Sequence, residues 1–339
     1  MPAMDIRPVL EEHAAALWHQ VDEATRGPDV PADPVSELLP RLDDRPEGGE
    51  RSELWLGVVD GTAVAIGDIR LPLHDNTISA EIDVRVRPDH RRRGRGREMV
   101  DHLLRRVTAE GRSRVFGEID EPLVDAPGDP EHPGRGFARS LGARPVLFEI
   151  RRSLDLTMLD SSKVAALRAE AAGRAAGYSL VQWVDRAPVD VRDDLAALMA
   201  RMSTDVPLDD MEWEPEVWDA ARVLAKEDGA IARGRTRIVS AARHDDTGRL
   251  VGYTDIGVNA QRPGIAYQWD TIVASEHRGH RLGMLMKAAN LEQLQQRVPG
   301  VRLVHTWNAE VNRHMIAVNE ALGFRAVERW REWQLDLGT

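Results

Sequence analysis

The sequence predicts an α+β protein made of two copies of one unit. Three observations carry this. A strand–loop–helix layout over Val86-Arg87-Pro88-Asp89-His90-Arg91-Arg92-Arg93-Gly94-Arg95-Gly96 returns as Val273-Ala274-Ser275-Glu276-His277-Arg278-Gly279-His280-Arg281-Leu282-Gly283. Asp83 and Asp270, Val86 and Val273, Arg91 and Arg278, and Gly96 and Gly283 are each 187 residues apart by subtraction, and four matches at one offset mark an internal duplication. In both halves a hairpin precedes the strand–loop–helix crossover, so each unit should be a mixed, mostly antiparallel sheet flanked by helices. The length of 339 residues allows each unit its own core.

In chain order, Asp5–Val9 reads as a strand and Glu11–Thr25 as a helix with Leu17, Trp18 and Val21 on one face. Gly27–Glu50 is rich in Pro, Asp and Gly, a loop with room for one helix near Val35–Leu39. Leu54–Val59 and Val64–Ile69 flank Asp60-Gly61, a hairpin signal. Ile78–Arg87 is the next strand. Met99, Val100, Leu103, Leu104 and Val107 then recur at helical spacing. Ser113–Ile119 is a strand, Asp125–Gly136 a loop holding Pro127, Pro130 and Pro133, and Pro145–Ile150 the closing strand. This gives a first domain over 1–153. The segment 154–177 is a linker whose Ala-rich Ser161–Ala176 portion should be helical, hence stiff.

The second domain, 178–339, opens with strand Tyr178–Val184. Helices Val189–Met202 and Pro215–Lys226 flank an acidic loop, Asp205–Glu214. Arg237–Arg243 and Leu250–Val258 form the second hairpin around Asp246-Thr247-Gly248. Strand Ala266–Ala274 feeds helix Gly283–Gln296. Strand Arg302–Trp307, helix Asn312–Ala321 and strand Arg325–Leu335 complete the unit.

Composition narrows the function. A net charge of −11 argues against nucleic acid as a partner, and the Arg run at 91–97 is local and lacks interleaved aromatics. Cys is absent, which excludes disulfides, thiolate metal sites and a Cys nucleophile. The eleven His form no His-x-x-His or Glu-x-x-His pair on a common helix, so no metal is expected. Nothing resembles a signal peptide or a membrane span, so a cytoplasmic protein is expected, with no membrane partner.

A strand that breaks into a Gly-bearing loop at a helix N-terminus is an anion site, because backbone N–H groups and the helix dipole converge on the ligand. Here Gly-Lys-Ser/Thr is missing, and Gly-x-Gly-x-x-Gly fails at Met99, so neither nucleotide fingerprint applies. The pattern Arg91-Arg92-Arg93-Gly94-Arg95-Gly96 resembles the Arg/Gln-x-x-Gly-x-Gly/Ala signature of the GNAT acetyltransferase superfamily. Arg278–Gly283 matches it except at Arg281, which stands for Gly. Downstream, Thr306-Trp307-Asn308-Ala309-Glu310-Val311-Asn312, Met315, Asn319 and Leu322-Gly323-Phe324 look like the strand, helix and closure that end this fold. The first copy ends in the weaker Phe137–Ala143. The resemblance covers nearly the whole chain and implies two GNAT-like units, similar in architecture to tandem members such as mycothiol synthase.

It further implies acetyl-CoA as the donor, with pyrophosphate on Arg278, Gly279, His280, Arg281, Leu282 and Gly283, and on Arg91, Arg92, Arg93, Gly94, Arg95 and Gly96 in the first unit. The backbone near Val273 or Val86 would face the thioester oxygen. Asn308 and Asn312 would lie along the cofactor arm. Asp270, with Asp83 as counterpart and Glu81 as a further option, is the candidate base on the strand before the cradle. The family often places a Tyr acid four residues before the closing Gly. That position is Asn319 here and Ala138 in the first unit. Asn donates a hydrogen bond but cannot protonate a thiolate at neutral pH, so help for the leaving group in the second unit is expected from Asn319 or Asn312 as donor, or from water. Seven of nine Trp lie in the second half, with Trp213 and Trp218 beside the acidic loop, a mouth suited to a cationic amine. The expected activity is acetyl transfer to a primary amine of a small molecule by direct attack in a ternary complex, with turnover in the second unit. Turnover in the first unit, or acyl-CoA sensing without chemistry, are the alternatives.

Overall fold

The computed structural model describes residues 2–27, 29–42, 49–123 and 132–338. Its strands are β1 (Asp5–Pro8), β2 (Glu50–Val59), β3 (Thr62–Pro72), β4 (Ser79–Val86), β5 (Arg114–Pro122), β6 (Arg144–Asp155), β7 (Tyr178–Val184), β8 (Arg235–His244), β9 (Leu250–Asn259), β10 (Ile265–Val273), β11 (Leu303–Ala309) and β12 (Arg325–Asp336). The helices are α1 (Glu12–Glu23), α2 (Val35–Leu38), α3 (Arg95–Ala109), α4 (Pro133–Ser140), α5 (Ser161–Arg174), α6 (Arg192–Ala200), α7 (Met202–Asp205), α8 (Ala220–Ala232), α9 (Leu282–Arg297) and α10 (Arg313–Leu322). The architecture is α+β. Among the described residues no helix is long and apolar enough to cross a membrane.

The described residues fall into two units. Unit 1 takes those within 1–118, 133–145 and 332–339, and unit 2 those within 119–132 and 146–331. Each unit therefore borrows a strand segment from the other half of the chain. In unit 2, β6 pairs antiparallel with β11 from Leu303↔Asp155 to Ala309↔Glu149. In unit 1, Leu335 and Leu337 pack on the core under α3, and the Leu337 N–H bonds the Ser113 carbonyl at 2.7 Å.

The sheet in unit 1 runs β1-β2-β3-β4-β5 and then the end of β12. In unit 2 the order is β6-β11-β10-β9-β8-β7. Hairpin neighbours are antiparallel. The crossover strands are parallel but pair only briefly, from Ser79↔Arg114 to Glu81↔Phe116 and from Ile265↔Leu303 to Tyr267↔His305. The pairing stops there, short of the ends of β4 and β10, which leaves a gap in the ladder between the crossover strands of each unit. Helix α3 closes one side of unit 1 with buried Met99, Val100, Leu103 and Val107, as their spacing predicts. Helix α9 is buried almost all round, because α5 covers the side it turns away from the sheet.

Several boundaries differ from the sequence reading for local reasons. The helix expected over Pro215–Lys226 starts at Ala220, where the Asp219 side chain caps it by accepting from the Arg222 N–H at 2.7 Å. Asp160 does the same for α5. Helix α2 has four residues and runs into a single 3-10 turn over Leu39–Leu42. The rest of the expected Gly27–Glu50 loop falls partly at 28 and 43–48, outside the described residues. The same holds for 124–131 of the Asp125–Gly136 loop. The closing strand expected at Pro145–Ile150 continues to Asp155, because β11 pairs along its whole length.

Candidate active site

The two cradle loops share one backbone path. Positive φ falls at Arg92 (59°) and Gly94 (78°) in unit 1, and at Gly279 (91°) and Arg281 (55°) in unit 2, again 187 apart by subtraction. The substitution of Arg281 for Gly thus leaves the loop conformation intact, since each loop holds one Gly and one Arg in the left-handed region. Neither Gly94 nor Arg281 caps its helix with a side chain, so the first-turn N–H groups of α3 and α9 face the loop. The leading Arg does a bracing job. Arg91 Nε donates to the Val86 carbonyl at 3.0 Å, and Arg278 Nε to the Val273 carbonyl at 3.2 Å. Arg281 pairs with Glu170, and Arg95 is buried against Glu98 and the Pro2 carbonyl. Anion binding here would rest on backbone N–H, with room at Gly283, where an added Cβ would meet no atom within 4 Å. At Gly96 it would meet Val86 and Phe137 at 3.7 and 3.8 Å. His280 lies against Tyr178 with ring centroids 5.0 Å apart and planes tilted by 48°, and the Tyr178 hydroxyl bonds His277 Nδ1 at 2.9 Å.

The strand before the cradle differs between units. In β4 the register with β3 is unbroken from Ala65↔Val86 to Arg70↔Glu81. In β10 it shifts between Gln268↔Ile256 and Thr271↔Thr254, so one extra residue bulges at Trp269–Asp270. A bulge strands a backbone N–H, and a buried carboxylate answers it. Asp255 Oδ1 accepts from the Asp270 N–H at 3.0 Å, and Asp255 Oδ2 accepts from Arg237 Nη2 at 2.8 Å. Burial pushes the Asp255 carboxyl up, against the pull of Arg237. Past the bulge the Ala274 N–H bonds the Val251 carbonyl on β9. Alternation along the strand then turns the Val273 N–H the other way, toward the gap.

Asp270 accepts a hydrogen bond from the Tyr253 hydroxyl at 2.7 Å, and Lys226 Nζ lies 3.7 Å from the same oxygen. Burial, with Asp270 and Asp255 nearby, drives the Tyr253 hydroxyl well above its usual range, so it remains a donor. Beside Asp270, Trp269 is 47% exposed and stacks parallel on Trp307 at 6.2 Å and on Tyr267 at 5.5 Å, with Trp330 edge-on to Trp307. This aromatic shelf replaces the pair that the sequence reading singled out. Trp213 and Trp218 both donate to Glu216, and Arg222 covers the Trp218 face at 4.2 Å.

The model of the acetyltransferase (GNAT) family matches residues 17–126 and again 204–324, together more than half of the chain. The chain belongs to the acetyltransferase (GNAT) family. It is an acyltransferase with two GNAT-like units. No curated protein matches its sequence. Among solved structures, a tandem GNAT protein from the clavulanic acid biosynthesis pathway is 29% identical, with 99% of each chain covered and a TM-score of 0.80. A GCN5-related N-acetyltransferase from Sphaerobacter thermophilus is 16% identical, covering 98% of this chain and 95% of that one at a TM-score of 0.65. A fungal glucosamine N-acetyltransferase region within a multi-domain β-N-acetylglucosaminidase is 14% identical. It covers 98% of this chain and 38% of that one at 0.63, and the last two likenesses concern fold alone.

Within this acetyltransferase, Asn319 is fully buried and its Nδ2 donates to Asn308 Oδ1 at 2.6 Å, while Asn312 caps α10 by accepting from the Met315 N–H. One of the two Asn319 side-chain N–H groups is thereby engaged by Asn308. In unit 1, Asp83 sits among cations. Burial opposes its ionisation, but Arg85 at 2.9 Å and Arg26 outweigh that and hold the carboxyl below the usual range. Glu81 pairs with Arg70 at 3.1 Å, and Ala138 is buried. Asp68, the repeat counterpart of Asp255, binds Arg41 at 2.6 Å instead of a bulge.

Three residues of unit 2 escaped the sequence reading. Tyr253 is one. Glu149, from the first half of the chain, stands cross-strand from Ala309 and so shares the face of Trp307, two residues along β11. Burial, with Asp209 nearby, pushes its carboxyl up to about 7. The acidic loop reaches this strand through the Asp210 N–H, which bonds the Val146 carbonyl. The third is Lys287, fully buried on α9. A signal existed for it, since Lys287 is the one charged residue within the apolar run Met284–Ala289. Among the described residues no cluster of His, Cys, Asp or Glu is set to hold a metal ion.

Proposed function

We propose that the protein transfers the acetyl group of acetyl-CoA to a primary amine of a small molecule, by direct attack in a ternary complex, with turnover in unit 2. The observation that carries this reading is the bulge in β10, which joins Asp270 to an open cradle and has no counterpart in β4. The cradle residues Arg278–Gly283 suit the pyrophosphate through backbone N–H groups. Acetyl-CoA supplies the thioester. The Val273 N–H is oriented to stabilise charge on the acyl oxygen. Asp270 takes the proton of the attacking amine, directly or through water, and Tyr253 fixes the carboxylate by its hydrogen bond. The Trp269–Trp307 shelf supports an acceptor with an apolar or planar body, and the carboxylates around it favour a cation.

In unit 1 the cradle backbone is the same, which supports donor binding there, but Asp83 is neutralised by Arg85 and the strand is unbulged. Unit 1 is thus read as a weaker or regulatory donor site. The test is calorimetric titration of acetyl-CoA into the wild type, Gly94→Glu and Gly283→Glu, followed by thiol release over a panel of primary amines. The reading expects Gly283→Glu to abolish amine-dependent thiol release and Gly94→Glu to spare it. The reverse result moves turnover to unit 1. Tight binding without release from any amine points to a sensor.

A further inference from the structure

Among the described residues Lys287 makes no salt bridge, although Asp255 acts on it from β9. It lies in the second turn of α9, is 1% exposed, and its Nζ donates to the Thr271 hydroxyl at 3.3 Å over the face of Phe324 at 5.9 Å. Thr271 is the first residue to pair after the bulge, and it is only partly buried where β10 borders the gap. Its hydroxyl also shares a 2.7 Å hydrogen bond with that of Thr254. The fold does not need these groups. The repeat counterparts of Lys287, Thr271 and Thr254 are Val100, Val84 and Gly67: Val100 is buried, Val84 packs on the core under α3, and Gly67 lies against Leu103 and Met99. A buried amine of this kind costs stability, so its presence in one copy only calls for a function.

We infer that Lys287 is the internal proton source for the sulfur that leaves in unit 2, acting through the Thr271 hydroxyl. This rests on the proposed turnover in unit 2, and it fills the place that Asn319 cannot. As the amine nitrogen bonds the acyl carbon and the carbon–sulfur bond breaks, the bonding pair stays on sulfur. The Thr271 hydroxyl gives its proton to that sulfur and takes one from the Lys287 ammonium, leaving a neutral amine. Thr254 can turn its own hydroxyl toward Thr271 and so free the Thr271 proton for the gap. The proton lost by the attacking amine passes to Asp270 and water, and water recharges Lys287.

The surroundings suit an amine that changes charge near neutrality. Helix α9 packs on α5, α10, β8, β9 and β10. Among the charged groups of the described residues, Asp255 on β9 favours the ammonium. Arg168 and Glu170 of α5 are taken up by Glu292 and Arg281, Arg237 of β8 by Asp255, and Asp270 of β10 by Tyr253. Helix α10 carries Arg313, His314 and Glu320. Burial dominates and lowers the ammonium to about 7.

Lys287 is a positioning residue for proton transfer, and two readouts test it. The first needs no turnover. Anionic acetyl-CoA in the cradle raises the proton affinity of Lys287, so binding at pH 8, measured calorimetrically in buffers of different ionisation heat, should take up about half a proton more in the wild type than in Lys287→Met. The second uses acetyl-CoA as donor and hydroxylamine as surrogate nucleophile, which stays unprotonated over the range. The wild-type maximal rate should fall as pH rises through the Lys287 titration. Lys287→Met and Thr271→Val should be about 100-fold slower below it and lose that limb. Thr271→Val keeps the extra proton uptake, because the charge remains, and it guards against a folding defect at Lys287. An unchanged limb in both variants, or equal uptake in Lys287→Met and wild type, overturns the inference. A wild type that releases no thiol overturns turnover itself, a result distinct from both.

Discussion

Replacing Lys287 by Met should stabilise unit 2 at neutral pH while harming catalysis, and the size of the gain is set by the burial of the amine. The folded ammonium lies at about 7 against 10.5 for the free side chain. Each unit of such a difference corresponds to about 1.4 kcal/mol, so the native state below pH 7 carries a penalty of about 5 kcal/mol. Between these two values the unfolded chain binds more protons than the native one, and wild-type stability therefore rises with pH across that window. Met has a similar length, no charge, and apolar neighbours in the core around α9. Urea unfolding followed by the fluorescence of Trp183, Trp213, Trp218, Trp269, Trp307 and Trp330 reports on unit 2. The variant should exceed the wild type by about 5 kcal/mol at pH 6 and converge on it near pH 10.5. A gap that stays constant with pH, or a variant less stable at pH 6, would refute the placement of an unpaired amine in this core.

Asp255→Asn should destabilise unit 2 by about 3 kcal/mol in the same assay, since it removes the hydrogen-bonded carboxylate of buried Arg237 and leaves it Glu227 at 3.9 Å. Glu149→Gln should gain about 2 kcal/mol above pH 7, after allowance for its part exposure, and nothing near pH 4.5. The sign follows from a raised carboxyl, whose native state binds more protons than the unfolded chain between 4.5 and about 7, so that its penalty is complete only above that window. Asp270→Asn should lower acetyl transfer about 100-fold with thermal stability little changed, as an amide still accepts from Tyr253. Calorimetry should find donor binding lost in unit 2 and kept in unit 1 for Gly283→Glu, whose side chain places a negative charge in the open space at the α9 N-terminus.

Local features were legible in the chain itself. The 187-residue repeat, the hairpins and the two cradles depend on turn chemistry and spacing over a dozen residues, and those do not wait for tertiary contacts. Even Arg281, a departure from the pattern, takes up the left-handed backbone that its loop requires. Tertiary structure decided what the repeat could not distinguish. Asp68 and Asp255 are the same residue at equivalent positions, yet one binds Arg41 and the other supports a bulge, because the partner arrives from a different element in each unit. Likewise Asp83 is held by Arg85 at 2.9 Å, while Asp270 takes its hydrogen bond from a Tyr hydroxyl and has Lys226 at 3.7 Å. Glu149 joins the second unit only because β6 pairs with β11 across more than 150 residues of sequence, and no local pattern encodes that choice of partner. Charge and hydrogen bonding at a site depend on which strands become neighbours. Spacing along the chain predicts that a cradle forms, and packing determines which side chains stand beside each cradle.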